Sequence, residues 1–282
     1  MTRALSDLVP PQEPERLATG FQFTEGPVWH PDGYLLFSDI PADTIYRWSP
    51  NGGVAPQIKP SRQSNGLTLD RQGRLVACEH AGRQVSQMEE GGAMGTVVDR
   101  YQGKRLNSPN DLVVHSSGAI YFTDPAYGIE PGQEELDFRG IFRANTDGTL
   151  ELLVSDFEGP NGLAFSPDES VLYVDDSRRR KTWSFQHRSD GSLREGRVFI
   201  DQDVEEEGNP DGMKVDTEGN LYITGGGGVW VVEPSGRHVG TVPLPEQPAN
   251  LAFGDADGLS LYITARTSIY RLRVMVPGIR PG

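Results

Sequence analysis

Six oxygen-bearing side chains recur along the chain, Glu25, Asn65, Asn110, Asn161, Asp211 and Asn250, separated by 40, 45, 51, 50 and 39 residues. Each opens a segment of one grammar: a polar anchor, an apolar stretch, a tight turn and an alternating run that ends in polar residues. The six segments read EGPVWHPDGYLLFSD, NGLTLDRQGRLVACE, NDLVVHSSGAIYFTD, NGLAFSPDESVLYVDD, DGMKVDTEGNLYITG and NLAFGDADGLSLYIT. If equivalent positions of such units lie on one ring, the six oxygens converge. Asn and Asp at strand starts are also turn formers that bond their own backbone, which accounts for Asn65-Gly66 or Asn161-Gly162 taken singly. Turn chemistry does not account for Glu25, a weak turn former in the same column. Glu25 and Asp211, facing each other across a narrow channel, would repel strongly at low dielectric unless a cation or a proton sat between them. Carboxylate and amide oxygens without Cys or His describe a hard-cation site, calcium first, then magnesium or manganese. Calcium takes about 6–8 oxygen ligands, which leaves positions for waters or substrate.

The elements that position these residues follow from the same repeat. Eight residues beyond each anchor stand Gly33, Gly73, Gly118, Glu169, Gly219 and Gly258, so five of six units put Gly where a hairpin turn needs positive φ. The anchor interval matches the roughly 40–50 residues of a four-stranded propeller blade. Six anchors therefore predict an all-β, six-bladed β-propeller forming a single domain over residues 1–282. Residues 163–165 read as an inner strand and 221–224 as the strand returning beside it. Third strands are expected at 45–48, 141–143, 229–232 and 269–272, and fourth strands at 150–155 and 238–243. The last unit runs out at Pro277 without a fourth strand, whereas residues 15–19 precede the first anchor as such strands do elsewhere. The N-terminal strand is predicted to close the last blade, which removes an open sheet edge. No window sustains a 3.6-residue period with helix caps.

Composition narrows the partners. The formal charge of −14 repels phosphate backbones and anionic membrane surfaces, so neither nucleic acid nor membrane is expected as a partner. No run approaches the roughly 20 apolar residues that span a bilayer, and no apolar signal segment opens the chain. Cys78 is the single cysteine, which excludes an intrachain disulfide and permits a reducing compartment. A cytoplasmic protein, monomeric or a small homo-oligomer, is expected.

The motifs EGPVW at Glu25, NSPND around Asn110, PNGLAFSPD around Asn161 and PDGMKVDTEGNLYIT around Asp211 occur in order at blade spacing. They resemble the senescence marker protein/gluconolactonase/luciferin-regenerating enzyme family over nearly the whole chain. The resemblance implies one catalytic divalent ion held by Glu25, Asn110, Asn161 and Asp211, calcium first, with magnesium, manganese or zinc as alternatives. It gives Asp211 a second role as base or nucleophile, and leaves Asn65 and Asn250 lining the channel. Animal lactonases of the family carry Arg where this chain has Ser108, so their sugar recognition does not transfer. Residues 103–108 instead look like bacterial gluconolactonases, which makes Arg105 and Asn107 candidates for substrate binding alongside Asn65, His80 and Asn110.

Other polar residues end the second strands on the anchor face: Asp39, His80, Asp124, Asp176 and Arg266. A neutral His80 near the ion could shuttle protons, whereas His30, His115, His187 and His238 fall in turns or outer strands and read as exposed. Arg178-Arg179-Arg180-Lys181 reads as a solvated rim, and residues 225–228 lack the Lys and helix of a phosphate loop. The function expected is hydrolysis of a small-molecule sugar lactone, a gluconolactonase-like carboxylic ester hydrolase whose ion polarises the lactone carbonyl. The alternatives are organophosphate hydrolysis, as in diisopropyl fluorophosphatase, and a non-catalytic calcium-binding propeller.

Overall fold

The computed structural model describes residues 3–281. It contains six four-stranded antiparallel sheets, in five of which the strands follow one another in chain order from the inside outward. The innermost strands are Thr24–His30, Ser64–Leu69, Leu112–Val114, Pro160–Phe165, Met213–Val215 and Pro248–Gly254. In the sixth sheet Pro248–Gly254, Ser260–Ala265 and Ser268–Arg273 are completed by Glu15–Thr19 from the start of the chain. That strand pairs Glu15 with Arg271 and Thr19 with Ser268, and the Glu15–Arg271 ion pair at 2.6 Å reinforces the closure. The architecture is the six-bladed propeller expected, closed by its N-terminal strand.

Packing between blades follows from the two-residue period of strands, which sends neighbouring side chains to opposite faces. Val28 of the first blade packs towards Leu67, Leu69 and Leu75 of the second, while Trp29 packs towards Ala252 and Tyr262 of the sixth. The Trp29 and Tyr262 rings stack at 5.0 Å between centroids. All six residues of the turn column have positive φ, from +57° at Glu169 to +88° at Gly118. Glu169 thus adopts the left-handed conformation that the other five units give to Gly. Its carboxylate pairs with His115 at 3.1 Å, and nearby His187 bonds Tyr121 Oη at 2.8 Å. Contrary to the sequence expectation, His115 and His187 are therefore partly buried and bonded.

The anchor end departs from regular pairing. Strand register shifts between Glu25 and Val28, Ser64 and Leu67, Pro160 and Leu163, and Pro248 and Asn250. In the third and fifth blades the inner strand begins only after Asn110 and Asp211. Such bulges re-aim a side chain that a regular strand would send into a blade interface. They also free backbone groups to join neighbouring blades: Gly66 N–H donates to Asn110 C=O, and Gly162 N–H to Asp211 C=O, each at 2.8 Å. A Cβ on Gly162 would lie 2.1 Å from the Asp211 carbonyl oxygen, so the glycine after Asn161 is required by this close approach. Ser38 and Thr123 add hydroxyl donors to the carbonyls of Asn65 and Asn161, each at 2.8 Å. Asn65, Asn110, Asn161 and Asp211 are thereby tied to adjoining blades, which fixes their distance from the axis. Among the described residues no helix is long and apolar enough to cross a membrane.

Candidate active site

A cavity of about 650 Å³ opens at the anchor end of the channel. Glu25, Asn65, His80, Asn110, Asn161 and Asp211 all line it. Asn250 does not: its amide donates to Glu25 Oε2 at 3.0 Å and to Asp111 Oδ2 at 3.2 Å. It acts beneath the cavity, orienting the Glu25 carboxylate.

Hydrogen bonds between neighbouring blades hold several of these side chains in place. Glu25 Oε2 also accepts the Gly26 N–H at 2.7 Å. Burial pushes Glu25 up to about 7 despite these donors, because a carboxylate is hard to keep charged away from water. Burial likewise pushes Asp211 well above the usual carboxylate range, and nearby Glu25, Asp111 and Asp175 push it further. Asn161 donates its amide to Ser177 Oγ at 3.0 Å, which leaves Asn161 Oδ1 buried with no hydrogen-bond partner. The Asn65 amide donates to Asn110 Oδ1 at 3.1 Å and meets His80 Nε2 at 3.2 Å. With the amide as donor, His80 Nε2 is an acceptor and the imidazole is neutral. Its burial, which lowers it to about 4, points the same way.

These observations fit a hard cation. Two buried carboxylates, Asp211 opposed by the charge of Glu25 and Glu25 by that of Asp111, beside amide oxygens with unused lone pairs, are costly unless a positive ion satisfies them. Oxygen-only donors suit calcium, magnesium or manganese better than a thiolate-seeking metal.

The structure does not bring Arg105 or Asn107 to the cavity. Arg105 lies in a short hairpin of Arg100–Tyr101 and Lys104–Arg105, with its guanidinium on Gly82 C=O at 3.1 Å. Asn107 is buried, and its amide donates to the carbonyls of Asp124 and Phe138 at 3.3 and 3.0 Å. Its amide nitrogen is engaged in holding the loop, while its Oδ1 is buried without a partner away from the cavity. The carboxylates ending the second strands serve the same purpose. Asp39 accepts the N–H groups of Gln22 and Phe23, Asp124 those of Asn107 and Ser108, and Asp176 those of Glu158 and Gly159, all at 2.8–3.1 Å.

The basic run divides. Arg179 and Lys181 pair with Asp156 and Asp201, as a solvated rim would, but Arg178 and Arg180 line the cavity. Sequence reasoning missed Tyr127, Ser177 and Asp111. Tyr127 and Ser177 lie in loops that no repeat position marks. Asp111 carried a signal, because it places a carboxylate where four of the other five units have Gly.

Residues 23–267 match the family described as SMP-30/Gluconolactonase/LRE-like region, and the chain belongs to it. The gluconolactonase of Zymomonas mobilis is 37% identical, over 94% of this chain and 82% of its own length. The pentonolactonase XacC of Haloferax volcanii is 30% identical, over 87% of this chain and 82% of its own. A gluconolactonase structure from Xanthomonas campestris superposes with a TM-score of 0.89 at 34% identity, covering 96% of this chain and 92% of that one.

Proposed function

We propose that the chain is a metal-dependent hydrolase of sugar lactones. The observation that carries this is the convergence of Glu25, Asn110, Asn161 and Asp211 on one cavity, with Asn161 Oδ1 buried and unpartnered. Relatives at 30% and 37% identity that are named lactonases support the substrate class. A divalent cation held by these four residues, calcium first, would polarise the lactone carbonyl and stabilise the charge that develops on its oxygen.

The chain's own residues supply the rest. Asp211, on the cavity wall beside the other anchors, is placed to orient the attacking water and receive its proton. Asn65 holds Asn110 and His80 in place, and neutral His80 offers the wall a polar group that carries no charge of its own. Asn250 and Gly26 fix Glu25. A lactone ring occupies a small part of a 650 Å³ cavity, so the rest of the sugar can enter with it.

The test is a panel of aldonolactones assayed with metal-stripped protein and after reconstitution with calcium, magnesium, manganese or zinc. Turnover that vanishes on stripping and returns with one ion is expected. Hydrolysis that is indifferent to chelation removes the metal dependence, and turnover of a phosphotriester with none of any lactone overturns the substrate class.

A further inference from the structure

The cavity wall above the anchors carries three arginines, Arg178, Arg180 and Arg266, against one acidic residue, Glu207. Two of the three are engaged. Arg180 pairs with Asp203 at 3.2 Å and donates to Gly208 C=O at 3.1 Å, holding the loop that leads to Asp211. Arg266 lies 3.6 Å from Glu207. Arg178 has no carboxylate or carbonyl partner among the described residues, although the chain carries 40 acidic residues against 26 basic ones.

Arg178 is exposed, yet its backbone turn and aliphatic stem are held in position. Its turn is pinned by Asp176, whose Oδ1 accepts the Gly159 and Arg179 N–H groups at 3.0 and 3.2 Å, and by Ser177 N–H on Gly159 C=O at 2.9 Å. The adjacent Ser177 hydroxyl receives the Asn161 amide. The aliphatic stem of Arg178 and the Tyr127 hydroxyl both pack over Gly159, where a Cβ would meet them at 2.9 and 2.3 Å. A guanidinium so placed, on a fixed turn beside the anchors and facing a cavity, is built to receive an anion.

Resting on the lactonase reading, we infer that Arg178 is a specificity residue for a lactone bearing an anionic substituent, a carboxylate or a phosphate, remote from the ring carbonyl. The ring sits at the anchors and the anion meets Arg178, with Arg180 and Arg266 adding positive potential to the wall. The substrate is then supplied by oxidation of an acidic or phosphorylated sugar at its anomeric carbon.

The experiment compares kcat/KM for a neutral aldonolactone with its 6-phosphorylated and 6-carboxylate counterparts, using the metal-loaded protein. At least one anionic lactone is expected to be preferred by roughly five- to tenfold, carried in KM, because a guanidinium open to solvent on one side contributes modestly. The preference should fall with rising salt, approach unity in Arg178→Ala and be partly kept in Arg178→Lys. The two anionic arms separate carboxylate from phosphate recognition. A neutral lactone hydrolysed as well as both anionic ones overturns this inference while leaving the lactonase reading intact. Equal loss on all three lactones in Arg178→Ala assigns the residue a structural role and overturns it too. Failure to hydrolyse any lactone defeats the lactonase reading and this inference with it.

Discussion

The two ends of the propeller use one repeat to opposite ends. Five residues after each anchor come His30, Asp70, His115, Ser166, Asp216 and Asp255, and the carbonyl of each accepts the N–H of the positive-φ residue three places on, at 2.8–3.2 Å. Side chains there are satisfied as well. Asp216 accepts the N–H groups of Glu218 and Asn220 and the Asn220 amide at 2.8–2.9 Å, and Asp70 accepts Gln72 and Arg74 N–H at 2.9 and 2.8 Å. At the anchor end a column just as polar leaves Asn65 and Asn161 oxygens unpartnered and crowds carboxylates into a buried space. A polar column is structural where its atoms close upon their own turn. It becomes a site where the backbone is bulged and the atoms are left for something else to satisfy.

Breaking the anchor end should cost chemistry. Asp211→Asn is expected to lower kcat on a sugar lactone by roughly 10² or more, the scale of a lost general base. Metal content must be measured alongside, and near wild-type rates in a metal-loaded variant would remove the role assigned to Asp211. Breaking the turn end should cost stability alone. Asp216→Ala leaves buried donors of its turn unpaired and should destabilise the fold by about 2–4 kcal/mol, visible as a lower midpoint in urea, with kcat of the folded fraction unchanged. A fall in kcat without a fall in stability would show that the two ends are not separable.

Chelation sharpens the contrast through pH. In cation-free protein Glu25 is pushed up to about 7, above its ordinary unfolded value near 4.3. Between those values the folded state binds more protons than the unfolded one, so stability should fall as pH rises from about 4 to 7, by a few kcal/mol. Saturating cation should flatten that slope. A slope unaffected by cation, or of opposite sign, would separate Glu25 from the ion. The smallest effect is expected at Glu169→Gly, which relieves about 1 kcal/mol of left-handed strain but loses the contacts to His115 and the Ser116 N–H. The net change should stay within about 1 kcal/mol in thermal unfolding, and a large loss would mean that the His115 contact dominates.

The repeat was legible because blade geometry imposes a period on a linear chain. Anchors, turn glycines and the missing sixth outer strand all sit at fixed offsets, and the closure by Glu15–Thr19 follows from counting strands. The same arithmetic placed Glu25, Asn110, Asn161 and Asp211 in one ring, since equivalent positions of equivalent units share a radius and height. What it could not supply was the orientation of side chains in loops. Arg105 and Asn107 had the right polarity, but a loop carries no period, and only the folded chain spends Asn107 on Phe138 and turns Arg105 towards Gly82. Arg178 and Arg179, adjacent and chemically alike, part company for the same reason. Arg179 reaches Asp156 and Asp176, while Arg178 faces the cavity, because one tight turn points consecutive residues in different directions. Sequence alone determined the number of blades and their closure, and named six anchor positions of which five line the cavity. Tertiary structure decided which polar atoms remained unsatisfied, because satisfaction depends on partners brought together from different blades.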